Sequence, residues 1–431
     1  MKKLFSLVIA SLILLINISV SFAGSSQAEP PQIDAGAYIL IDSKTGDILY
    51  EKNSRSQTVF PASTTKIMTA ILALEHGDLN QEMTATQSEI DDIGPDGSNI
   101  GILAGETLHL SDLLKALLIS SANETANIIA DNICTTRQEF VDLMNQKAKE
   151  LGATSTHFAN PCGAHDPLHY TTASDMAKMA RYAMTFQEFR KIVSTSVYQM
   201  PATNKHPKWP ELSNTNKLMI SDKNDLYVIN GVKTGYTGPA GYNLVTSATD
   251  SNGMELISVV MDVKNEGAQE NVRKYSKALL DYGFNNFKRV SIIEKGAIYR
   301  NVKVDSAIDT SGLDLITSDG LLCTLPKDAT LQDIKEIPHI SDNISAPINK
   351  GDKMGFVEYF KEDLSLGRIE LTAAREIDHK PAPVTLQSRL MKYLNTVYVK
   401  IILSAIGVLL FFILLRKTLR HISRKVNSRR Y

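Results

Sequence analysis

The chain is poor in the residues that staple small folds. Three cysteines stand among 431 residues, Cys134, Cys162 and Cys323, with one tryptophan, Trp209. An odd number of widely spaced cysteines excludes a disulfide framework, so the thiols are expected to pack or stay free. No His-Glu-x-x-His occurs. That removes the usual helical zinc motif, although His157, His165, Asp166 and His169 lie close together in sequence. No metal or other cofactor is expected. Excess positive charge is also missing. The formal net charge is -1, but nine of the 46 basic residues belong to the two ends of the chain. Between Gly24 and Leu415, 37 basic residues face 47 acids, a balance of about -10. A nucleic acid is therefore not the expected partner.

Apolar residues make up 43% of the chain, enough for a sizeable core, and two apolar runs lie at its ends. Met1-Lys2-Lys3 precedes the run from Leu4 to Val20, and small residues follow at Ser21 and Ala23. A basic start, a hydrophobic stretch and small residues before the cut make residues 1–23 a predicted signal peptide. The second run, Val397 to Leu415, is interrupted by Lys400, Ser404 and Gly407. About 19 helical residues at about 1.5 Å each approach the thickness of a bilayer core. Arg416, Lys417, Arg420, Arg424, Lys425, Arg429 and Arg430 follow without an acid. That flank is expected to stay in the cytoplasm, leaving residues 24–396 on the extracytoplasmic face.

Between these ends the pattern is mixed. Residues 34–50 read as a hairpin, 63–76 and 111–133 as buried helices, and 228–233, 242–248 and 255–263 as strands. Thr172-Ala-Ser-Asp175 has the spacing of a capping box before a helix over 176–184, whose Met176 and Met179 are expected in the core. A helix over 269–282 is expected to stop at Gly283. Short strand-like runs at 301–304, 313–316, 355–359 and 368–372, with no long helical period, suggest a small all-β domain. The expected divisions are a catalytic domain over 24–286, a β domain over 287–378, a linker over 379–396, an anchor over 397–415 and a basic tail over 416–431. Within the linker, 384–396 could form an amphipathic helix.

Three short motifs carry chemistry. Pro61-Ala-Ser63-Thr-Thr-Lys66 places a hydroxyl and an amine at i and i+3, on one helix face. Serine needs a nearby base to act as a nucleophile, and lysine serves when burial and a second cation lower its pKa. Ser121-Ala-Asn123 adds a hydroxyl and an amide. Gly231-Val-Lys233-Thr-Gly-Tyr236 ends a strand in a cation, a hydroxyl and a glycine, an edge that can pair with an extended peptide and hold its carboxylate. Each motif is modest alone; their order along the chain is what gives them weight.

With these residues in place the chain resembles the D-alanyl-D-alanine carboxypeptidases, the low-molecular-weight penicillin-binding proteins of the serine-peptidase class. Asn160-Pro161 with Gly163, His169-Tyr-Thr-Thr-Ala173 with Asp175, Asn214-Thr-Asn-Lys-Leu218 and Ala240-Gly-Tyr242 match further family segments, and Ala346-Pro-Ile-Asn-Lys-Gly351 with Gly355 resembles the family's C-terminal β domain. The likeness runs over about residues 34 to 377.

It implies a DD-peptidase/β-lactamase-like α/β domain, with an antiparallel sheet between helices, then a small β-sandwich and a C-terminal transmembrane helix. It implies Ser63 as the acylated nucleophile, Lys66 as its base and Ser121 as a proton relay. Asn123 holds the substrate amide; Lys233 and Thr234 bind the terminal carboxylate, beside Gly235. The backbone N–H groups of Ser63 and Tyr236 form the oxyanion hole. Peptidoglycan stem peptides ending in D-Ala-D-Ala, β-lactam antibiotics and the membrane are the implied partners. Three departures stand out. Ala122 replaces the family's usual glycine, and its methyl could narrow the cleft. Cys162 and Ala164 flank Gly163 in place of bulkier residues. A carboxylate-binding arginine of some relatives falls near Val272, with Arg273 one position off. The rival readings are a serine β-lactamase, which lacks support from any Glu-x-x-x-Asn at 150–175, and a catalytically weak wall-binding scaffold.

Overall fold

The structure, a computed structural model, describes residues 29–94, 97–221, 224–381 and 385–427. The signal-peptide segment 1–23 lies outside the described residues. The chain divides into two compact units. The first comprises the chain through Glu294 together with 320–336 and 359–367; the second holds 295–319, 337–358 and the residues from Arg368 onward.

The first unit is built on a five-stranded antiparallel sheet. Its strands are β1 (Ala37–Asp42), β2 (Ile48–Lys52), β3 (Tyr227–Thr237), β4 (Gly241–Asp250) and β5 (Glu255–Val263), in the spatial order β2-β1-β5-β4-β3. The hairpin and the three later strands fall where the alternation of the sequence placed them. All six residues of β1 are buried, because both faces of the sheet are covered. Side chains of successive residues point to opposite faces. Ile39, Ile41, Ile257 and Val259 join one apolar cluster, which also holds Ile67, Ile71, Met176 and Met179. Tyr38, Leu40, Leu256 and Val260 join the other, with Leu279, Leu280 and Phe284.

Helices α1 (Lys66–His76), α2 (Asn123–Ile133), α3 (Arg137–Glu150) and α4 (Ala173–Ala183) belong to the first cluster, and α5 (Ala268–Asn286) to the second. Three expectations need correction here. The helix expected over 111–133 is broken. A turn of α-helix over Leu110–Lys115 passes into a π-helical turn over Ala116–Ser120, and Ser121 then adopts a left-handed conformation at φ 65° before α2 begins. The predicted stop at Gly283 does not occur, and α5 continues to Asn286. Gly283 serves close packing instead, since a Cβ there would lie 2.5 Å from Leu256 Cδ1 and 2.8 Å from Leu40 Cδ2. Thr172 does cap α4, accepting from the Asp175 amide at 3.1 Å. The reciprocal half of the box is replaced, however: the Asp175 carboxylate accepts from the Ser155 amide and the Thr156 hydroxyl.

Strand Phe287–Ile293, also in the first unit, pairs antiparallel with Leu321–Pro326. A second five-stranded sheet has the order Ile298–Val302, Leu313–Thr317, Leu364–Ala373, Lys353–Lys361, Ile334–Ile340. Three of these strands cover the runs read at 313–316, 355–359 and 368–372, while Ile298–Val302 overlaps the run expected over 301–304 only at its first two residues. Leu321–Pro326 and Ile334–Ile340 were missed, each carrying a proline that argues against a strand. Further along lie α6 (Leu386–Leu394) and α7 (Val397–Asn427). Within Val397–Lys425 an 18-residue window has a mean hydropathy of 2.6, and none of that window is buried. It is long and apolar enough to cross a membrane, and the helix carries on through the basic residues beyond Leu415.

Candidate active site

Residues 62–65 form a single 3-10 turn that leads directly into α1. Ala62 has φ 49°, a left-handed value that turns the chain just before Ser63. The Pro61 carbonyl accepts from the Thr64 hydroxyl at 2.7 Å. From the first residue of α1, Lys66 reaches back along the axis, as helical side chains do. Its Nζ lies 2.9 Å from Ser63 Oγ, 2.6 Å from Asn123 Oδ1 and 2.7 Å from the Cys162 carbonyl oxygen.

The other two motifs arrive through backbone conformations of similar kind. The left-handed Ser121 ends the π-helical turn, so that Asn123 can open α2. On β3, Val232 has φ 134° next to a bulge between Ile229 and Gly231, immediately before Lys233. Left-handed backbone at a residue bearing a Cβ is strained, and here it occurs once in each motif segment. Two glycines permit the close approach between segments. A Cβ on Gly163 would stand 2.0 Å from the Ala62 carbonyl oxygen. One on Gly235 would stand 2.8 Å from the Pro61 carbonyl oxygen and 3.2 Å from the Ser63 amide nitrogen.

Ser63, Ser121, Thr234, Gly235 and Tyr236 line one cavity of about 450 Å³. Lys66, Asn123 and Lys233 lie buried behind it. Burial lowers the Lys66 ammonium from its ordinary range to about 8. Lys233 is pushed well down as well, first by burial and then by the positive charge of Lys66. Its Nζ donates to the Thr234 carbonyl at 3.0 Å, while the Thr234 hydroxyl donates to Thr215 Oγ1 at 2.8 Å. The Asn123 amide is used at both ends, since Nδ2 donates to the Ile93 carbonyl at 3.0 Å. Ala122, expected to narrow the cleft, is instead fully buried in the apolar core.

Several participants lie outside the three motifs. The Cys162 carbonyl is presented by a turn that Asn160 braces, its Oδ1 accepting from the Gly163 and Ala164 amides. Asn243 Nδ2 donates to the carbonyls of Phe60 and Pro61, tying β4 to the turn before Ser63. His169 Nδ1 accepts from the Ala159 amide at 3.2 Å, which leaves Nε2 to donate to Thr65 Oγ1 at 2.8 Å. Burial drives that imidazole down to about 3, so it is neutral. Both ring nitrogens are engaged, Nδ1 with the Ala159 amide and Nε2 with Thr65, next to Lys66. Val272 and Arg273 both line the cleft, Val272 as a buried side chain.

The Peptidase_S11 family profile, described as D-alanyl-D-alanine carboxypeptidase, matches residues 24–265, and that of the penicillin-binding protein 5 C-terminal domain matches 287–379. D-alanyl-D-alanine carboxypeptidase DacF of Bacillus subtilis is 32% identical over 397 residues, covering 91% of this chain and 98% of the relative. DacD of Escherichia coli is 29% identical, covering 86% and 95%. Among solved structures, penicillin-binding protein 5 of Haemophilus influenzae superposes with a TM-score of 0.70 at 30% identity, over 81% of this chain and 99% of that one. By fold, by sequence and over nearly its whole length, the chain belongs to the D-alanyl-D-alanine carboxypeptidase family.

Proposed function

We propose that the protein is a serine-type carboxypeptidase that removes the terminal D-alanine from peptidoglycan stem peptides and is acylated by β-lactams. The observation that carries this reading is the 2.9 Å contact between Lys66 Nζ and Ser63 Oγ, inside a buried set of acceptors. A neutral amine has two N–H donors and one lone pair. With its donors on Asn123 Oδ1 and the Cys162 carbonyl, the lone pair is left for the Ser63 hydroxyl, which then donates to it.

Ser63 Oγ attacks the carbonyl carbon of the penultimate D-alanine as Lys66 takes its proton. The Ser63 and Tyr236 amides receive the negative oxygen, which needs preorganised donors. Collapse breaks the peptide bond, and the leaving amine takes a proton relayed through Ser121. Water then hydrolyses the ester on Ser63. Asn123 meets the substrate amide, and Lys233 and Thr234, beside Gly235, hold the terminal carboxylate. The assigned parts of the chain are a signal peptide over 1–23, a catalytic domain over 24–286, a β domain over 287–378, a linker over 379–396, an anchor over 397–415 and a cytoplasmic tail. In this arrangement the catalytic domain faces the wall.

The test is D-alanine release from a peptide ending in D-Ala-D-Ala, measured beside the lifetime of the penicillin adduct. We expect release, a long-lived adduct, and loss of both in Ser63→Ala. Rapid turnover of penicillin without D-alanine release would assign a β-lactamase instead. Penicillin labelling retained by Ser63→Ala would displace Ser63 as the nucleophile.

A further inference from the structure

The cleft does not end at Tyr236. That ring is 56% exposed and stacks against Tyr242, with centroids 4.3 Å apart. Beyond the pair opens a second cavity of about 610 Å³, which shares Tyr236, Tyr242, Gln269 and Arg273 with the first. Two charged side chains of α5 line it, Glu270 and Arg273. They stand at i and i+3 and so share a helix face. Arg273 pairs with no carboxylate among the described residues, and Glu270 meets only Lys274, at 3.2 Å with both side chains about two-thirds exposed. An ion pair that open to water is easily exchanged. Adjacent positions on a helix are about 100° apart. Arg273 therefore lines both cavities, whereas Val272, buried one position earlier, lines only the first.

The polarity of the bound peptide says what reaches this groove. β3 is the outer strand of its sheet, so its free edge is open to an added strand. In the reading above, the terminal carboxylate sits at Lys233 and Thr234 and the scissile carbonyl at the Tyr236 amide. The residue before the two D-alanines then lies past Tyr236, beside the Tyr236–Tyr242 pair. We propose that the groove binds the side chain of that third residue and selects one ending in both an ammonium and a carboxylate. The paired tyrosines support its methylene stem, Arg273 takes the carboxylate and Glu270 the ammonium. The inference rests on the proposed carboxypeptidase reading and adds the class of stem peptide.

The test uses the full chain in detergent and three pentapeptides ending in D-Ala-D-Ala. Their third residues are meso-diaminopimelate, the same residue with its side-chain carboxylate amidated, and L-lysine. We expect kcat/KM to favour the first over the other two on the order of tenfold, the worth of one charge-assisted contact in a half-open groove. In Arg273→Gln that ratio should fall to near one. A fourth peptide, with the side-chain amine of diaminopimelate acetylated, should be disfavoured by the wild type but not by Glu270→Gln. Equal rates on the three peptides in the wild type would overturn the inference while leaving the carboxypeptidase reading intact. So would an Arg273→Gln enzyme that slows on all three peptides alike, because Arg273 would then serve the terminal carboxylate. No D-alanine release from any peptide would instead sink the activity itself.

Discussion

The carbonyl oxygen of Cys162 accepts a 2.7 Å hydrogen bond from Lys66 Nζ across 96 positions of sequence. With Asn123 it leaves the amine one open direction, toward Ser63. Burial keeps this lysine near 8, and protonation removes the lone pair on which acylation depends. Acylation by penicillin should therefore rise with pH, with an acid limb near 8. Lys66→Arg cannot give up its proton in this range and should acylate on the order of 10³-fold more slowly. Stopped-flow acylation rates across pH check both outcomes; a flat profile, or an active Lys66→Arg enzyme, points to another base.

Gly163 and Gly152 make a matched pair. Both have positive φ, 88° and 72°, but a Cβ on Gly163 meets the Ala62 carbonyl oxygen at 2.0 Å, whereas one on Gly152 meets nothing within 4 Å. Gly152→Ala should cost about 1 kcal/mol, the price of left-handed backbone alone. Gly163→Ala must displace backbone next to Ser63 and should cost more, roughly 2–4 kcal/mol, with slower acylation. Denaturant unfolding and penicillin labelling of the two variants would contradict this account if they gave equal losses.

His169 sets a pH dependence of stability. Its pKa of about 3 in the folded chain lies below the unfolded value of about 6.5. Below about 6.5 the unfolded chain takes up a proton that the folded chain refuses. The stability contribution of the neutral ring is thus full above that pH and drains away as pH falls toward 3, by at most about 1.4 kcal/mol per unit. Glutamine can accept and donate to the same partners without titrating. His169→Gln should therefore lose stability less steeply than the wild type between pH 6.5 and 4. Parallel curves from urea unfolding would remove the buried imidazole as the cause.

Truncation before Val397 should release a protein that stays in solution without detergent and still liberates D-alanine, since every motif residue lies between Ser63 and Tyr236. In sealed, wall-stripped cells, added protease should digest the main domain and spare a tag placed after Tyr431. Cleavage of that tag would mean that α7 lies along the surface.

Much of the fold could be read locally. Period-two alternation marked the strands of the central sheet, and the apolar period marked α1 and α4, because these patterns record which face is buried. The failures have particular causes. Ser121 interrupts what reads as one helix, since a left-handed serine leaves no mark in an apolar period. Gly283 looks like a stop and is a packing contact, because its neighbours Leu40 and Leu256 come from distant strands. The prolines at the ends of Leu321–Pro326 and inside Ile334–Ile340 hid two strands.

The sequence by itself determined the three motifs, their order, and the i, i+3 spacing that brings Lys66 to Ser63, since one helical turn is a local property. Only the tertiary structure decided that the Cys162 carbonyl and the Asn123 amide surround Lys66, that His169 is held as a neutral donor to Thr65, and that Arg273 lines both the cleft and the groove beyond it. These depend on contacts between segments many tens of residues apart, and on burial, which sets proton affinity through the loss of water and has no signature in residue order.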